Sequence, residues 1–216
     1  MTAILEQPRT LADVVRRLGD IPLERIRSHP PPGTATEDDV LAAHEGDDKR
    51  LCELIDGVLV EKAMGFRESF LAAALVRFLG NFIEASNPGI VTSADGFVRL
   101  FVGQVRIPDV AFISWDRLPG RRIPDEPIPD VVPDLVVEVL SRSNTRGEME
   151  RKRHDYFTAG TRLMWIAQPK NRTVRVYTSA DDFRELVEAD TLDGGDVLPG
   201  FSLPLSLWFG QLDRRG

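Results

Sequence analysis

Two acidic residues stand alone in stretches of sequence that are otherwise apolar. Glu138 interrupts the run "PDLVVEVL", and Asp109 falls within "VRIPDVAFISW", where the other odd positions from 105 to 113 are apolar. Burying an unpaired charge in a strand costs several kcal/mol, so each acid needs an explanation. If the two strands are neighbours, the carboxylates converge on one point. Carboxylate oxygens, with waters completing the shell, are ligands that Mg²⁺ prefers, so the pair predicts a magnesium site.

Each acid also has an ordinary explanation. A Pro-Asp pair such as that at residues 108–109 commonly forms a turn, in which the aspartate binds the backbone. A glutamate in a strand most often faces water. Taken singly, these interpretations are the better ones. A Pro-Asp pair in both of two similar strands, each with a lone acid, favours the metal site.

A lysine on the following helix supplies a third element of the same site. The T-x-x-E spacing of residues 145–148 is typical of a capping box and predicts a helix over residues 146–159. Met149, Lys152 and Tyr156 share one face of that helix. Lys152 is therefore predicted to point at the sheet, where its ammonium would offset the desolvation of Glu138. The alternative is that Lys152 only snorkels past Tyr156 to solvent.

Four arginines are candidates for contacts with nucleic-acid phosphates. They are Arg121 and Arg122 in a proline-rich loop, and Arg142 and Arg146 after the second acidic strand. Solvated surface charge is the competing interpretation. The three histidines show no metal-ligand spacing, and Ser141 has no histidine partner within reach for a catalytic triad.

The elements around these residues alternate between strands and helices. "RLCELIDGVLVEKAMG" is typical of a hairpin that turns at Asp-Gly, and "GIVTSADGFVRLF" is a second hairpin candidate with the same turn. Apolar residues at three- and four-residue steps predict a long helix over residues 68–84. "VRIPDVAFISW", "PDLVVEVL", "RLMWIAQ" and "TVRVYT" are predicted strands, residues 116–132 a loop, and "LPGFSLPLSLWF" a tail that docks on the body. This order predicts an α/β fold with a central mixed β-sheet flanked by helices.

Residues 1–48 are predicted to form an N-terminal helical appendage to a domain that spans residues 49–216. Thr10 and Thr36 are candidate N-caps of two short helices, and a proline-rich connector joins them.

Composition narrows the functional classes. The chain has 216 residues and a net charge of −7, so its overall field does not attract nucleic acid, and any such binding needs a local basic patch. Cys52 is the single cysteine, which excludes an internal disulfide and argues against a cysteine-based zinc site. The sequence shows no signal peptide and no apolar run approaching the roughly 18 residues of a membrane span. We therefore expect a cytoplasmic protein without a membrane partner.

The order of several motifs resembles a known family. "ELIDGVLVEKAMG", "VRIPDVAFISW" and "PDLVVEVLSRS", followed by Lys152 and Tyr156, are similar to the Uma-two endonucleases, a large bacterial group abundant in cyanobacteria. That family has the restriction endonuclease-like PD-(D/E)XK fold. The similarity runs from about Glu53 to the "LPGFSLPL" tail. The histidine that the family often carries at the start of the long helix is absent here, where residues 67–69 read "RES".

The resemblance implies roles for particular residues. Asp109 matches the motif aspartate and Glu138 the second acid. Leu140 stands where the general pattern has its lysine, and Lys152 matches the lysine that this family moves onto the following helix. Glu53 matches the acid that opens the "ELIDG" hairpin.

Together these observations predict an endonuclease that uses Mg (or Mn) to hydrolyse DNA phosphodiester bonds, with Asp109 and Glu138 as metal ligands and Lys152 assisting the attacking water. The sequence leaves the oligomeric state undecided between a monomer and a homodimer. One alternative is a catalytically inactive module that binds nucleic acid or protein and keeps the acids as a structural ion-pair network with Lys152. The other is a hydrolase of small phosphoesters.

Overall fold

The computed structural model describes residues 10–47, 49–63 and 65–215. The helices are α1 (Leu11–Arg17), α2 (Glu37–Glu45), α3 (Phe66–Ile83), α4 (Arg146–Ala159) and α5 (Leu205–Phe209). The strands are β1 (Cys52–Ile55), β2 (Val58–Glu61), β3 (Gly89–Thr92), β4 (Val98–Phe101), β5 (Gln104–Arg106), β6 (Val110–Ser114), β7 (Leu135–Val139), β8 (Leu163–Gln168), β9 (Thr173–Tyr177), β10 (Phe183–Leu186), β11 (Thr191–Gly194) and β12 (Leu198–Pro204).

The strands form one large mixed sheet and two smaller ones. The large sheet has the order β10-β9-β8-β7-β6-β3, and β7 and β8 form its parallel pair. A four-stranded antiparallel sheet has the order β2-β1-β5-β4, and β11 pairs with β12. The predicted mixed sheet is therefore present, with a second sheet beside it.

One face of the large sheet is covered by α3 and the C-terminal tail. Leu71, Leu75 and Leu79 of α3 are fully buried in one cluster with Val137 of β7. Trp208 of the tail is in the same cluster, and its indole N–H donates to the carbonyl oxygen of Leu71 at 3.0 Å. The predicted docking of the tail is confirmed.

The opposite face of the large sheet is covered by α4. Met149 and Tyr156 of α4 are buried in one cluster with Val136 of β7 and Met164 of β8. Because side chains alternate along a strand, Glu138 lies on the same face as Val136, toward α4. The capping box of α4 is present as predicted, and the helix covers residues 146–159.

The prediction of one continuous strand through "VRIPDVAFISW" is wrong. The segment divides into β5 in the four-stranded sheet and β6 in the large sheet. Pro108 lies between them, and its missing N–H and fixed φ interrupt the strand ladder. Asp109 therefore stands at the junction of the two sheets, immediately before β6.

The second predicted hairpin is also wrong. A turn is present, since the N–H of Gly96 donates to the carbonyl oxygen of Ser93, but β3 pairs with β6 and β4 pairs with β5. The Asp-Gly dipeptide marks a turn without fixing which strands pair. The first hairpin is confirmed, because β1 pairs antiparallel with β2.

The N-terminal arm, residues 10–47, contacts both the first hairpin and α4. Ile26 forms an isolated antiparallel bridge with Val60. Gly19 approaches Gly147 so closely that a Cβ on Gly19 would lie 2.2 Å from the carbonyl carbon of Gly147. Thr10 caps α1 and Thr36 caps α2 as predicted. The domain boundary at residue 48 stays a prediction. Within the part of the chain that is described, no helix has the length and apolarity to cross a membrane.

Candidate active site

The strands that carry the two lone acids are neighbours. β6 pairs antiparallel with β7, and the N–H of Asp109 donates to the carbonyl oxygen of Val137 at 3.1 Å. The start of β6 thus meets the end of β7, where Glu138 lies. The sequence expectation that these two strands share a sheet is confirmed.

The carboxylate of Asp109 is held at both oxygens. The N–H of Val139 donates to Oδ2 at 2.7 Å, and Nζ of Lys62 lies 2.9 Å from Oδ1. The Asp109 side chain is 15% exposed, whereas that of Glu138 is 5% exposed. Asp109 is therefore the acid of this pair that solvent reaches more easily.

Glu138 is buried and bound from α4. Nζ of Lys152 lies 3.1 Å from each of its carboxylate oxygens, and the hydroxyl of Tyr156 donates to Oε1 at 3.3 Å. Lys152 and Tyr156 share the inward face of the helix, as their spacing predicted. Lys152 is 2% exposed, so it does not snorkel to solvent.

Glu53 joins the same buried network from the four-stranded sheet. Its Oε1 lies 3.0 Å from Nζ of Lys152 and accepts the N–H of Ile107 at 3.2 Å. Its Oε2 accepts a guanidinium N–H of Arg106 at 2.8 Å, and Arg106 also pairs with Asp155 on α4. The network therefore ties the two sheets and α4 together through charged groups.

The two buried glutamates have pKa values shifted in opposite directions. Burial opposes the charge of Glu53, but the cations Lys152 and Arg106 outweigh it and lower its pKa to about 2. For Glu138, burial is the largest effect, and it raises the pKa to about 7. The ammonium of Lys152 lowers this pKa, but the carboxylates of Asp109 and Glu53 raise it further. Burial would lower the pKa of Lys152, yet its acidic neighbours raise it, so the ammonium stays charged. The neighbouring cations therefore outweigh burial at Glu53 but not at Glu138.

The donor set fits a hard divalent cation bound by few protein ligands. Among the described residues, no group of three or more His, Cys, Asp or Glu side chains is arranged to hold a metal. Mg²⁺ commonly takes one or two carboxylates and keeps waters or substrate oxygens as its other ligands. Burial and the neighbouring carboxylates raise the pKa of Glu138, and a cation between Asp109 and Glu138 would stabilise its charged form.

The four candidate DNA-binding arginines lie in two separate places. Arg142 is exposed in the loop that leaves the Glu138 end of β7, and Arg146 begins α4 with its guanidinium bound to Glu150 at 2.8 Å. Arg121 and Arg122 are exposed in the loop that leaves the other end of β6. Arg142 and Arg146 therefore follow the strand end that carries an acid, whereas Arg121 and Arg122 follow the strand end away from Asp109.

Sequence reasoning missed two groups that contact the site and one that braces α4. Lys62, just after β2, touches Asp109, and Arg106 touches Glu53. Arg106 was missed because residues 105–115 were predicted to form one strand. In a single strand, side chains alternate, so Arg106 and Asp109 would lie on opposite faces. On the arm, Arg25 donates to both carboxylate oxygens of Glu148, at 2.9 and 2.7 Å, and so braces α4. The available signal for Lys62 was that lysine is scarce: the chain has four lysines among 27 basic residues, so each lysine is a candidate for a specific role.

Comparison with known proteins finds one matching family. Residues 38–206 match the sequence model of the Uma2 family, described as "Putative restriction endonuclease". No curated protein matches the chain. Among solved structures, a crystal structure described as "a putative nuclease belonging to DUF820" from Anabaena variabilis ATCC 29413 superposes with a TM-score of 0.70. That match has 19% identity and covers 82% of this chain and 98% of the other. The predicted restriction endonuclease-like fold is confirmed.

Proposed function

This chain belongs to the Uma2 family, and from that membership we propose that it is a divalent-metal-dependent endonuclease that hydrolyses DNA phosphodiester bonds. The observation that carries the proposal is the convergence of Asp109 and Glu138 at the paired ends of β6 and β7, with Lys152 against Glu138.

Asp109 and Glu138 would hold the ion. When bound, Mg²⁺ or Mn²⁺ would supply Lewis-acid polarisation of the scissile phosphate and increase the acidity of a water molecule. The N–H of Val139 fixes the orientation of the Asp109 carboxylate, and Lys152 with Tyr156 fixes that of Glu138. A rigid strand platform of this kind keeps ligands in place without reorganisation.

Lys152 has two tasks in this proposal. It positions Glu138, and its charge would stabilise negative charge that develops on the scissile phosphate. Glu53 holds the ammonium in place, and Arg106 in turn holds Glu53. Glu53 is therefore a positioning residue that acts through Lys152.

Arg142 and Arg146 are the proposed contacts with the DNA backbone, and Arg121 and Arg122 are a more distant pair. The net charge of −7 disfavours approach of DNA, so binding should depend on a limited basic patch and weaken steeply with salt.

A second candidate function also has an observation in its favour. Lys152 contacts Glu53 and both oxygens of Glu138, and all three side chains are at least 95% buried. A closed network of this kind also suits a binding module that has no catalysis and keeps the acids for structure.

The discriminating experiment incubates the purified protein with plasmid and oligonucleotide DNA, with Mg²⁺, Mn²⁺ or a chelator, and in parallel with a small chromogenic phosphodiester. Metal-dependent DNA cleavage supports the endonuclease. Binding of DNA without cleavage at any metal concentration would favour the module, and turnover of the small phosphodiester alone would favour a small-phosphoester hydrolase.

A further inference from the structure

Lys62 holds the outward oxygen of Asp109. It follows β2 directly, and its backbone N–H donates to the carbonyl oxygen of Leu51 at 2.8 Å, which fixes the chain at this point. Its ammonium lies 2.9 Å from Oδ1 of Asp109 and donates to the carbonyl oxygen of Ala94 at 3.2 Å. The Lys62 side chain is 3% exposed. A buried cation thus faces the more accessible of the two candidate ligands.

The other oxygen of Asp109 is already engaged. Oδ2 accepts the N–H of Val139 at 2.7 Å, a backbone contact that holds the carboxylate on β7. Oδ1 is therefore the oxygen with which Asp109 would meet a divalent ion, and Lys62 contacts that same atom.

The choice of lysine at this position contrasts with the rest of the molecule. The chain has four lysines among its 27 basic residues, and of these Lys62 and Lys152 contact the acids of the site. Fixed buried pairs elsewhere use arginine, as in the two-point contact between Arg25 and Glu148. Arginine binds a carboxylate as a rigid fork, whereas lysine is a compact point charge on a flexible stem and can change partners more easily.

We propose, resting on the function proposed above, that Lys62 and the divalent ion compete for Oδ1 of Asp109, so that Lys62 sets the metal affinity of the site. Binding of the ion requires the ammonium to leave Oδ1. The carbonyl oxygen of Ala94 then remains as a partner for the ammonium. Lys152 does not compete at this oxygen, because its contacts are to Glu53 and Glu138 rather than to Asp109.

The test is a calorimetric titration of Mn²⁺ into the full-length protein without DNA. Lys62→Met and Lys62→Gln remove the competing charge and should bind Mn²⁺ at least about tenfold more tightly than the wild type. Lys62→Arg keeps a competitor and should bind no more tightly than the wild type. Lys170→Met is the matched control, since it removes an exposed charge beyond β8 and should leave the affinity unchanged.

The outcomes separate this inference from the proposed function. Two neutral variants are included so that poor folding of one, detected by thermal melting, leaves the other to decide. If Asp109→Asn abolishes Mn²⁺ binding while both neutral variants bind as the wild type does, the metal site stands and the competition is wrong. If neither the wild type nor the neutral variants bind Mn²⁺, the competition and the proposed metal site are both wrong.

Discussion

The candidate site has two halves of different character. The inner half consists of Glu53, Arg106 and Lys152, and each of these side chains is at least 97% buried. The outer half consists of Asp109 and Lys62, where the carboxylate is 15% exposed, the ammonium is 3% exposed, and Asp109 is the one acidic partner of Lys62 among the described residues. Glu138 lies between the halves and contacts the inner one through Lys152.

The difference between the halves indicates a division of tasks. Several buried charges that neutralise one another are costly to open, because each would be left unpaired in a medium of low polarity. The inner half is therefore suited to holding geometry. The outer half is one pair with a partly exposed carboxylate, and Lys62 has a second partner in the carbonyl oxygen of Ala94, so the pair can be exchanged at lower cost and the outer half is suited to admitting an ion.

The largest effect should follow from a change in the outer half. Asp109→Asn removes a proposed metal ligand, so metal-dependent DNA cleavage should fall by about 10³-fold or more. The protein should stay folded, because the loss of the acidic partner of Lys62 is offset in part by the removal of a charge that opposes Glu138. Cleavage at the wild-type rate, in preparations free of contaminating nuclease, would assign catalysis elsewhere.

The next effect concerns the stability of the inner half. Lys152→Met leaves Glu53 and Glu138 without their shared ammonium, so the free energy of unfolding should fall by about 3–5 kcal/mol, measured by denaturant titration. Lys170→Met, which replaces an exposed lysine, is the control and should change the free energy of unfolding little. Equal stability of the two variants would show that the inner network does not hold the fold.

A smaller effect should appear in the pH dependence of stability without metal. The pKa of Glu138 is raised to about 7 by burial, so its contribution is present below its unfolded value and is lost as pH rises toward 7. Stability attributable to this residue should fall by on the order of 2–3 kcal/mol between pH 5 and pH 8. The pKa of Glu53 is lowered to about 2, so its contribution to stability is constant between pH 5 and pH 8 and is lost only as pH falls below that range.

Glu138→Gln provides the check on this pH effect. The amide cannot ionise, so the difference in unfolding free energy between variant and wild type should change across the window in favour of the variant at high pH. A difference that is constant from pH 5 to pH 8 would contradict the raised pKa.

The smallest effect is expected at the DNA-binding surface. Reversing the charges of Arg142 and Arg146 together should weaken DNA binding by about three- to tenfold at low salt and leave Mn²⁺ affinity unchanged. The same reversal at Arg121 and Arg122, beyond the other end of β6, should weaken binding less. Equal effects of the two pairs, or an affinity independent of salt, would reject the assigned surface.

The parts of the fold that are local in sequence could be predicted. The capping box of α4 and the apolar stripe of α3 depend on spacing within one segment, and both helices occur where that spacing placed them. Sheet membership could not be predicted in the same way. Whether β3 pairs with β4 or β6 depends on contacts between distant segments, and Pro108 divides a run that alternates like one strand.

The candidate site shows the same limit. The helical spacing of Lys152 indicated that it faces the sheet, and the sequence predicted one sheet that contains the strands of both acids. Lys62 and Arg106 could not be found from spacing, because they reach the acids only after the first hairpin pairs with β5 and the four-stranded sheet meets the large one. The competition at Asp109 is accordingly an inference from tertiary contacts.

The central claim is that a divalent ion binds between Asp109 and Glu138 while the inner half stays closed. Crystals of the protein grown with Mn²⁺ and measured for anomalous scattering test it most directly. The account predicts an anomalous peak within coordination distance of both carboxylates, with Lys62 withdrawn from Oδ1 and Lys152 still on Glu53. A peak elsewhere, or none at a Mn²⁺ concentration that supports DNA cleavage, would contradict it.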